Sequence, residues 1–156
     1  MKELQNLLQQ VATITQKNNE ILNAIGGRFN MFRICGVNHY ENTHSAIIAE
    51  LLNPKGTHSL KSELLEAFLS LIDKDFVPTD FNPSNATVYT EYTTDKGRID
   101  ILIKDTNKNT LIIENKIYAA DQYEQLKRYE QFAKKEFKAY QIYYLTLWGS
   151  EASLQS

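Results

Sequence analysis

The stretch GRIDILIKDTNKNTLIIENK, residues 97–116, constrains this chain more than any other part of it. Its first half alternates Ile99, Ile101 and Ile103 with Arg98, Asp100, Leu102 and Lys104. Its second half alternates Leu111, Ile113 and Asn115 with Ile112, Glu114 and Lys116. A period of two in β-branched residues marks strands with one face in a core. Asn107, Lys108 and Asn109 supply the turn chemistry between them. A hairpin centred near Asn107 sets Asp100 directly across from Glu114, with Lys116 two residues further along the same face.

Two carboxylates so placed need a reason. Like charges about 5 Å apart repel by roughly 3 kcal/mol at an effective dielectric near 20, and like charges directly opposite destabilise a sheet. Either one carboxylate holds a proton or a cation sits between them. Hard divalent ions take oxygen ligands, and phosphate esters can complete the shell. The competing reading is a solvent-facing row of mixed charge in which Lys116 simply neutralises Glu114. A further strand is expected over 87–93, and the two-residue turn Asp95-Lys96 then places Glu91 opposite Asp100. Three acids converging on one face are poorly explained as solubilising charge.

The rest of the chain frames this hairpin. Residues 2–25 read as one amphipathic helix with Leu4, Leu7, Val11, Ile14, Asn18, Ile21 and Ile25 at alternating spacings of three and four. That is a heptad seam with one polar position. It suits a homodimer, or a helix packed on its own domain. Gly26-Gly27 ends it. Phe29, Met31, Phe32 and Ile34 read as a short buried connector. A helix is expected from Asn42 or Thr43 to Asn53-Pro54, another from His58 or Ser59 to Ile72, and a loop over 73–85. After Lys116, Asp121 and Glu124 form a capping box for a helix running to Lys138. In that helix Gln125 and Tyr129 share one face, while Leu126, Ala133 and Phe137 form the core stripe. A last strand over 142–147 precedes a polar tail at 150–156. The domains are therefore 1–26, 27–149 and the tail, which leaves open that the chain is a fragment. The order α-β-β-β-α-β implies a mixed α/β fold with a central sheet flanked by helices.

Composition excludes several classes. With 156 residues, 42% hydrophobic and 23% charged, the chain suits one globular domain. A formal charge of −2 gives no bulk attraction for nucleic acid, so any phosphate-binding surface is a local patch. The single cysteine, Cys35, excludes an intrachain disulfide framework and a cysteine-rich zinc site. Its apolar context predicts a buried, inert thiol. The sequence has no membrane-length apolar run and no signal-peptide pattern, so the expected location is the cytoplasm.

GRIDILI, then LIIENKIYAADQYEQLKRY, then the strand YYLTL, together resemble the PD-(D/E)XK nuclease superfamily. The likeness is closest to an uncharacterised bacterial branch with an upstream HS…LLNP…H block, here His44 to His58. The resemblance covers Phe29 to Gly149 and implies a restriction-endonuclease-like αβββαβ core. It implies metal-dependent hydrolysis of nucleic-acid phosphodiesters, most plausibly of DNA in defence or repair. Asp100 and Glu114 would bind Mg2+ (Mn2+ as a substitute), helped by the backbone carbonyl of Asn115. Lys116 would orient or deprotonate the attacking water and balance developing charge.

Gln125 and Tyr129 would orient the site or touch the nucleic-acid backbone, or else simply bury a helix face. The family also places a glutamate from an early helix near the metal; Glu41 is the first choice among Glu41, Glu50, Glu63 and Glu66. Ile99 stands where the family's proline precedes the acid. His44 and His58 fit hydrogen bonding within the helical layer better than metal ligation. Arg98 and Lys96, at the hairpin mouth, could contact phosphate or be a solvated turn. The alternative function is a catalytically silent nucleic-acid-binding or assembly module that kept the fold.

Overall fold

The structure, a computed structural model, describes residues 2–72, 75, 77–154 and 156. Two compact units divide it, Met1–Asn38 and His39–Ser156. The boundary falls twelve residues beyond the expected one at residue 26.

In the first unit, α1 (Lys2–Ala24) is the expected long helix. Gly26 takes φ +67, and the Gly27 N–H returns to the Leu22 carbonyl at 2.8 Å, closing the helix as a glycine C-cap does. The short helix α2 (Met31–Ile34) follows, capped by the Asn30 side chain on the Arg33 amide. The buried connector expected here is not buried: Phe29, Met31 and Ile34 are exposed. Cys35 is likewise a free, exposed thiol. Apolar neighbours in sequence did not bury these residues, because a four-residue helix offers too little surface to pack.

The second unit builds a four-stranded sheet in the order β1 (Thr87–Thr94), β2 (Gly97–Lys104), β3 (Asn109–Lys116), β4 (Ala139–Thr146). The first three strands are antiparallel neighbours, and β4 joins β3 in parallel across the helix α5 (Gln125–Glu136). One face packs on α3 (Glu41–Leu52) and α4 (Glu63–Ser70) through Ala49, Leu52, Leu65, Ile101, Ile103, Leu111 and Ile113. The other packs on α5 through Leu102, Ile112, Tyr129 and Ala133. Each fully buried Ile or Leu contributes roughly 1.5–3 kcal/mol. All eight residues of β3 are buried, so it is covered on both faces and not on one.

Helix boundaries came out shorter than the sequence suggested. α4 begins at Glu63, because the preceding residues form turns with Ser59 and Lys61 at positive φ. α5 begins at Gln125, with no side-chain cap from Glu124. The expected Asp121–Glu124 capping box does not form. Asp121 instead accepts from the Tyr144 hydroxyl at 2.6 Å and the Ser153 amide at 2.7 Å. Within the expected loop, Asp73, Lys74 and Phe76 lie outside the described residues, and Pro83–Asn85 makes one 3-10 turn.

Candidate active site

Three departures from regular pairing create the site. The β1–β2 register runs Thr90 to Ile101 and Tyr92 to Ile99, which leaves Glu91 and Asp100 facing each other unpaired. Glu91 has φ +52, a conformation that costs a non-glycine residue about 1–3 kcal/mol. The side-chain alternation slips there. Ile101 and Ile103 face α3, but Ile99 joins Leu102 and Ile112 on the α5 side. The third departure is in β2–β3, whose ladder ends at Ile101–Ile113, one pair short of Asp100 and Glu114.

The simple picture of three acids standing side by side on one face is thus corrected. Asp100 turns its Oδ2 along the ladder and accepts the Asn115 N–H at 2.9 Å. It occupies the place a strand carbonyl would hold. In an extended strand a residue's N–H and C=O point to the same edge, so the Asn115 carbonyl faces the same gap. Glu91 forms an ion pair with Arg98 at 2.7 Å and accepts from Asn42 Nδ2 at 3.4 Å.

Glu114 is 1% exposed. Its Oε1 accepts from Gln125 Nε2 at 2.7 Å and pairs with Lys116 Nζ at 2.9 Å. Its Oε2 is buried with no hydrogen-bond partner among the described residues. Gln125 also donates to the Tyr129 hydroxyl at 3.0 Å, and that hydroxyl gives its one proton to the Arg98 carbonyl. The buried pair from α5 therefore fixes which way the Glu114 carboxylate turns. Burial pushes the Tyr129 hydroxyl well above its ordinary range.

Glu41, at the start of α3, lies in the same electrostatic neighbourhood but is engaged elsewhere. Its Oε1 accepts from the amides of Ile117, Tyr118 and Ala119 at 2.8, 3.2 and 2.9 Å. It pins the chain leaving Lys116. The other candidate glutamates are occupied or apart. Glu50 binds the Thr57 amide and hydroxyl, and Glu66 accepts from Ser62. His58 bonds the Asn53 carbonyl and the Leu60 amide, a local structural role. Lys96 is exposed on the β1–β2 turn and Arg98 is half exposed; both sit at the same end of the sheet as Lys116.

Sequence reading missed Ser45 and Asn42. Ser45 is 1% exposed and accepts from Asn115 Nδ2 at 3.0 Å, anchoring the middle residue of Glu114-Asn115-Lys116. The signal was present. Ser45, Ala49 and Leu52 are spaced as one buried helical stripe, and a serine at its head asks for a polar partner.

The electrostatics are those of a site short of positive charge. Burial raises the pKa of Asp100, reinforced by Glu91 and Glu41, against the Asn115 amide and Lys116. Burial, then Asp100, raises that of Glu114. Burial alone would lower the pKa of Lys116, but Glu114 above all holds it raised. Asp100, Glu114 and Glu91 share the ammonium of Lys116 and the guanidinium of Arg98, and Glu41 and Asp121 also feel Lys116, so carboxylates outnumber cations here.

Among the described residues no three His, Cys, Asp or Glu side chains converge as a ready-made cation cage. Magnesium does not require one, since it is held by one or two carboxylates with water and phosphate completing its octahedron. The unpartnered Oε2 of Glu114 beside Asp100 fits that kind of site.

An acid–acid–lysine set on a mixed α/β sheet, with a glutamine and a tyrosine from the crossover helix, defines a nuclease-like architecture. Residues 29–156 match the PD-(D/E)XK nuclease superfamily, and the chain belongs to that superfamily. No curated protein and no solved structure matches it. The family is in general one of metal-dependent nucleases acting on nucleic acid. No helix among the described residues is long and apolar enough to cross a membrane.

Proposed function

We propose that this chain hydrolyses phosphodiester bonds of DNA with a Mg2+ ion held by Asp100 and Glu114, Mn2+ serving as a substitute. One observation carries the reading: Glu114 is buried, its Oε1 is held by Gln125 and Lys116, and its Oε2 has no partner among the described residues. A buried carboxylate oxygen costs desolvation unless something binds it. The excess of carboxylates over cations in the cluster favours a bound cation.

When bound, the ion supplies a Lewis acid for the phosphoryl oxygen and a nucleophilic water near neutral pH. The remaining roles belong to the chain. Gln125 and Lys116 both hold Oε1, so Oε2 would be the atom left to hold the ion. The Asn115 carbonyl, facing the gap where the ladder ends, is a third candidate ligand. The Lys116 ammonium orients the attacking water and offsets the charge that develops on phosphorus. Tyr129 and Gln125 act as positioning residues, since their polar groups are spent on Glu114 and Arg98. Glu41 holds the loop after Lys116 in place; in this reading it is a positioning residue too, and not a first choice of ligand. Glu91, whose buried Oε1 has no partner among the described residues, would be a further candidate to help hold the ion. Arg98 and Lys96 would meet phosphate at the mouth, Arg98 by exchanging Glu91 for the substrate.

The test compares supercoiled DNA, linear DNA and RNA incubated with Mg2+ or Mn2+, using wild type and Glu114→Ala. Metal-dependent cutting of DNA by the wild type alone supports the proposal. No cutting with either metal, or equal cutting by the variant, rejects it in favour of a silent binding module.

A further inference from the structure

The first unit carries an apolar stripe that needs covering. No residue of α1 is buried. Leu4, Leu7, Val11, Ile14, Ile21 and Ile25 are each more than half exposed. In proteins most of a helix's stability comes from packing its apolar face. We propose that a second copy of this chain covers the stripe, forming a parallel, in-register, two-stranded coiled coil through α1.

The pattern chooses the occupant. Written as a heptad, Leu4, Val11, Asn18 and Ile25 take position a, and Leu7, Ile14 and Ile21 take position d. Such a seam is complementary to itself. With the flanking Leu8 and Leu22 at position e, eight apolar side chains come from each copy. At roughly 60–120 Å2 apiece they bury on the order of 1,000–1,900 Å2 in total, within the range of about 1,200–2,000 Å2 typical of stable dimers.

Asn18 chooses the orientation. In a parallel, in-register pair it meets its own counterpart, and each amide offers a donor and an acceptor to the other. In an antiparallel pair position a faces position d, which sets Asn18 against Leu7 and leaves a buried amide unsatisfied. A single asparagine at position a is the device that fixes register and strand number. Charge does not oppose the arrangement. Across the parallel seam Glu3 faces Leu8, Gln10 faces Thr15 and Lys17 faces Leu22, so no like charges meet. The proposal is independent of the nuclease reading.

Sedimentation equilibrium of the full chain should give twice the chain mass at high concentration. Ile14→Asp should return the single-chain mass while the thermal unfolding of the sheet unit stays unchanged. Asn18→Ile should keep association but lose its uniqueness, giving a mixture with trimers or larger species. In a Cys35→Ser background, which removes the exposed native thiol, Leu4→Cys should form an interchain disulfide readily under mild oxidation. A single-chain mass at every concentration overturns the proposal, as does a wild-type trimer or tetramer. A dimer in which Leu4→Cys fails to cross-link overturns the parallel orientation. A pure dimer from Asn18→Ile overturns the role given to Asn18.

Discussion

Two buried acids stand at opposite ends of the β2–β3 hairpin, and the protein treats them differently. Asp105, at the closed end, is 3% exposed. Its carboxylate accepts from the amides of Asn82, Asn107 and Asn109 and from the Asn109 side chain, at 2.8–3.1 Å. Glu114, at the open end, is as deeply buried, yet one oxygen is crowded with donors and the other has none among the described residues. Asp105 is satisfied by the fold and has nothing left to offer a ligand. Glu114 is left unsatisfied by the fold, at a cost in stability, and that unfilled capacity is what a cation would use. Under the proposed reading the contrast separates an acid that builds structure from one held ready for chemistry, and it can be broken experimentally.

The largest effect falls on catalysis. Glu114→Gln keeps the shape and the Gln125 contact but removes the charge. Cleavage should fall by at least about 10²–10³-fold, the scale seen when one preorganised electrostatic group is lost, while the fold is kept, relief of the buried Glu114 charge offsetting the loss of a partner for Lys116. Single-turnover cleavage and urea unfolding of the same preparation check both halves. Retained activity, or a large loss of stability, would erase the distinction between the two acids.

Asp105→Ala should do the reverse. It strands several buried donors at the hairpin turn, and a loss of about 3 kcal/mol is expected in urea unfolding. Cleavage by the molecules that remain folded should be unchanged. Metal titration sharpens the same contrast. A ligand that binds the folded state alone stabilises it by about 2.7 kcal/mol at one hundred times its dissociation constant. Wild type and Asp105→Asn should both show a rise in melting temperature with Mn2+, and Glu114→Ala should show none.

This difference between the ends was only half legible in the sequence. The strand spans, the turn at Asp95-Lys96 and the pairing offset between β2 and β3 follow from alternation and turn residues, and they carried Asp100, Glu114 and Lys116 to one end of the sheet. What alternation could not show is the slip at Glu91 and Asp100. Neither residue is Gly or Pro, and a left-handed glutamate leaves no local signature. The slip is imposed by tertiary packing, which places Ile99 with Tyr129 on the α5 side. The role of Asp105 was hidden in the same way. KDTNKNT supplies three of the donors from its own turn, and the approach of Asn82, just ahead of the 3-10 turn, adds the long-range fourth that no local pattern shows. Glu41 was a weak choice among four helical glutamates, and its three amide contacts come from a loop whose path no periodicity predicts.

Tyr129→Phe tests how Glu114 is aimed. The hydroxyl receives from Gln125 and donates to the Arg98 carbonyl, so its removal should cost about 1 kcal/mol of stability. If orientation matters, the apparent metal affinity should weaken as well, whereas a residue that only fills the core would leave it unmoved. Isothermal titration with Mn2+ distinguishes the two.

The smallest effect is in pH, and its sign is opposite for the two glutamates that flank the cluster. Burial raises the folded pKa of Glu114 above its ordinary 4.5, and that of Asp100 above 3.8. The folded state then holds those protons more tightly than the unfolded chain does. The associated stability is fully present below the ordinary values and is lost as pH rises through the folded ones. For Glu41 burial acts in the same direction, but the three loop amides outweigh it and its pKa is lowered. Its contribution is present above 4.5 and is lost as pH falls through the folded value. In EDTA, Glu114→Gln should therefore gain on wild type as pH is raised from about 4.5, and Glu41→Gln, behind wild type above about 4.5, should close on it as pH is lowered from there. Melting temperature against pH for the three proteins measures this. Saturating Mn2+ at neutral pH should favour wild type over Glu114→Gln, because the charge that was a burden in the empty site becomes the ligand. Parallel curves in EDTA would mean that Glu114 is no less content in its burial than Asp105, and the asymmetry between the ends of the hairpin would have no thermodynamic content.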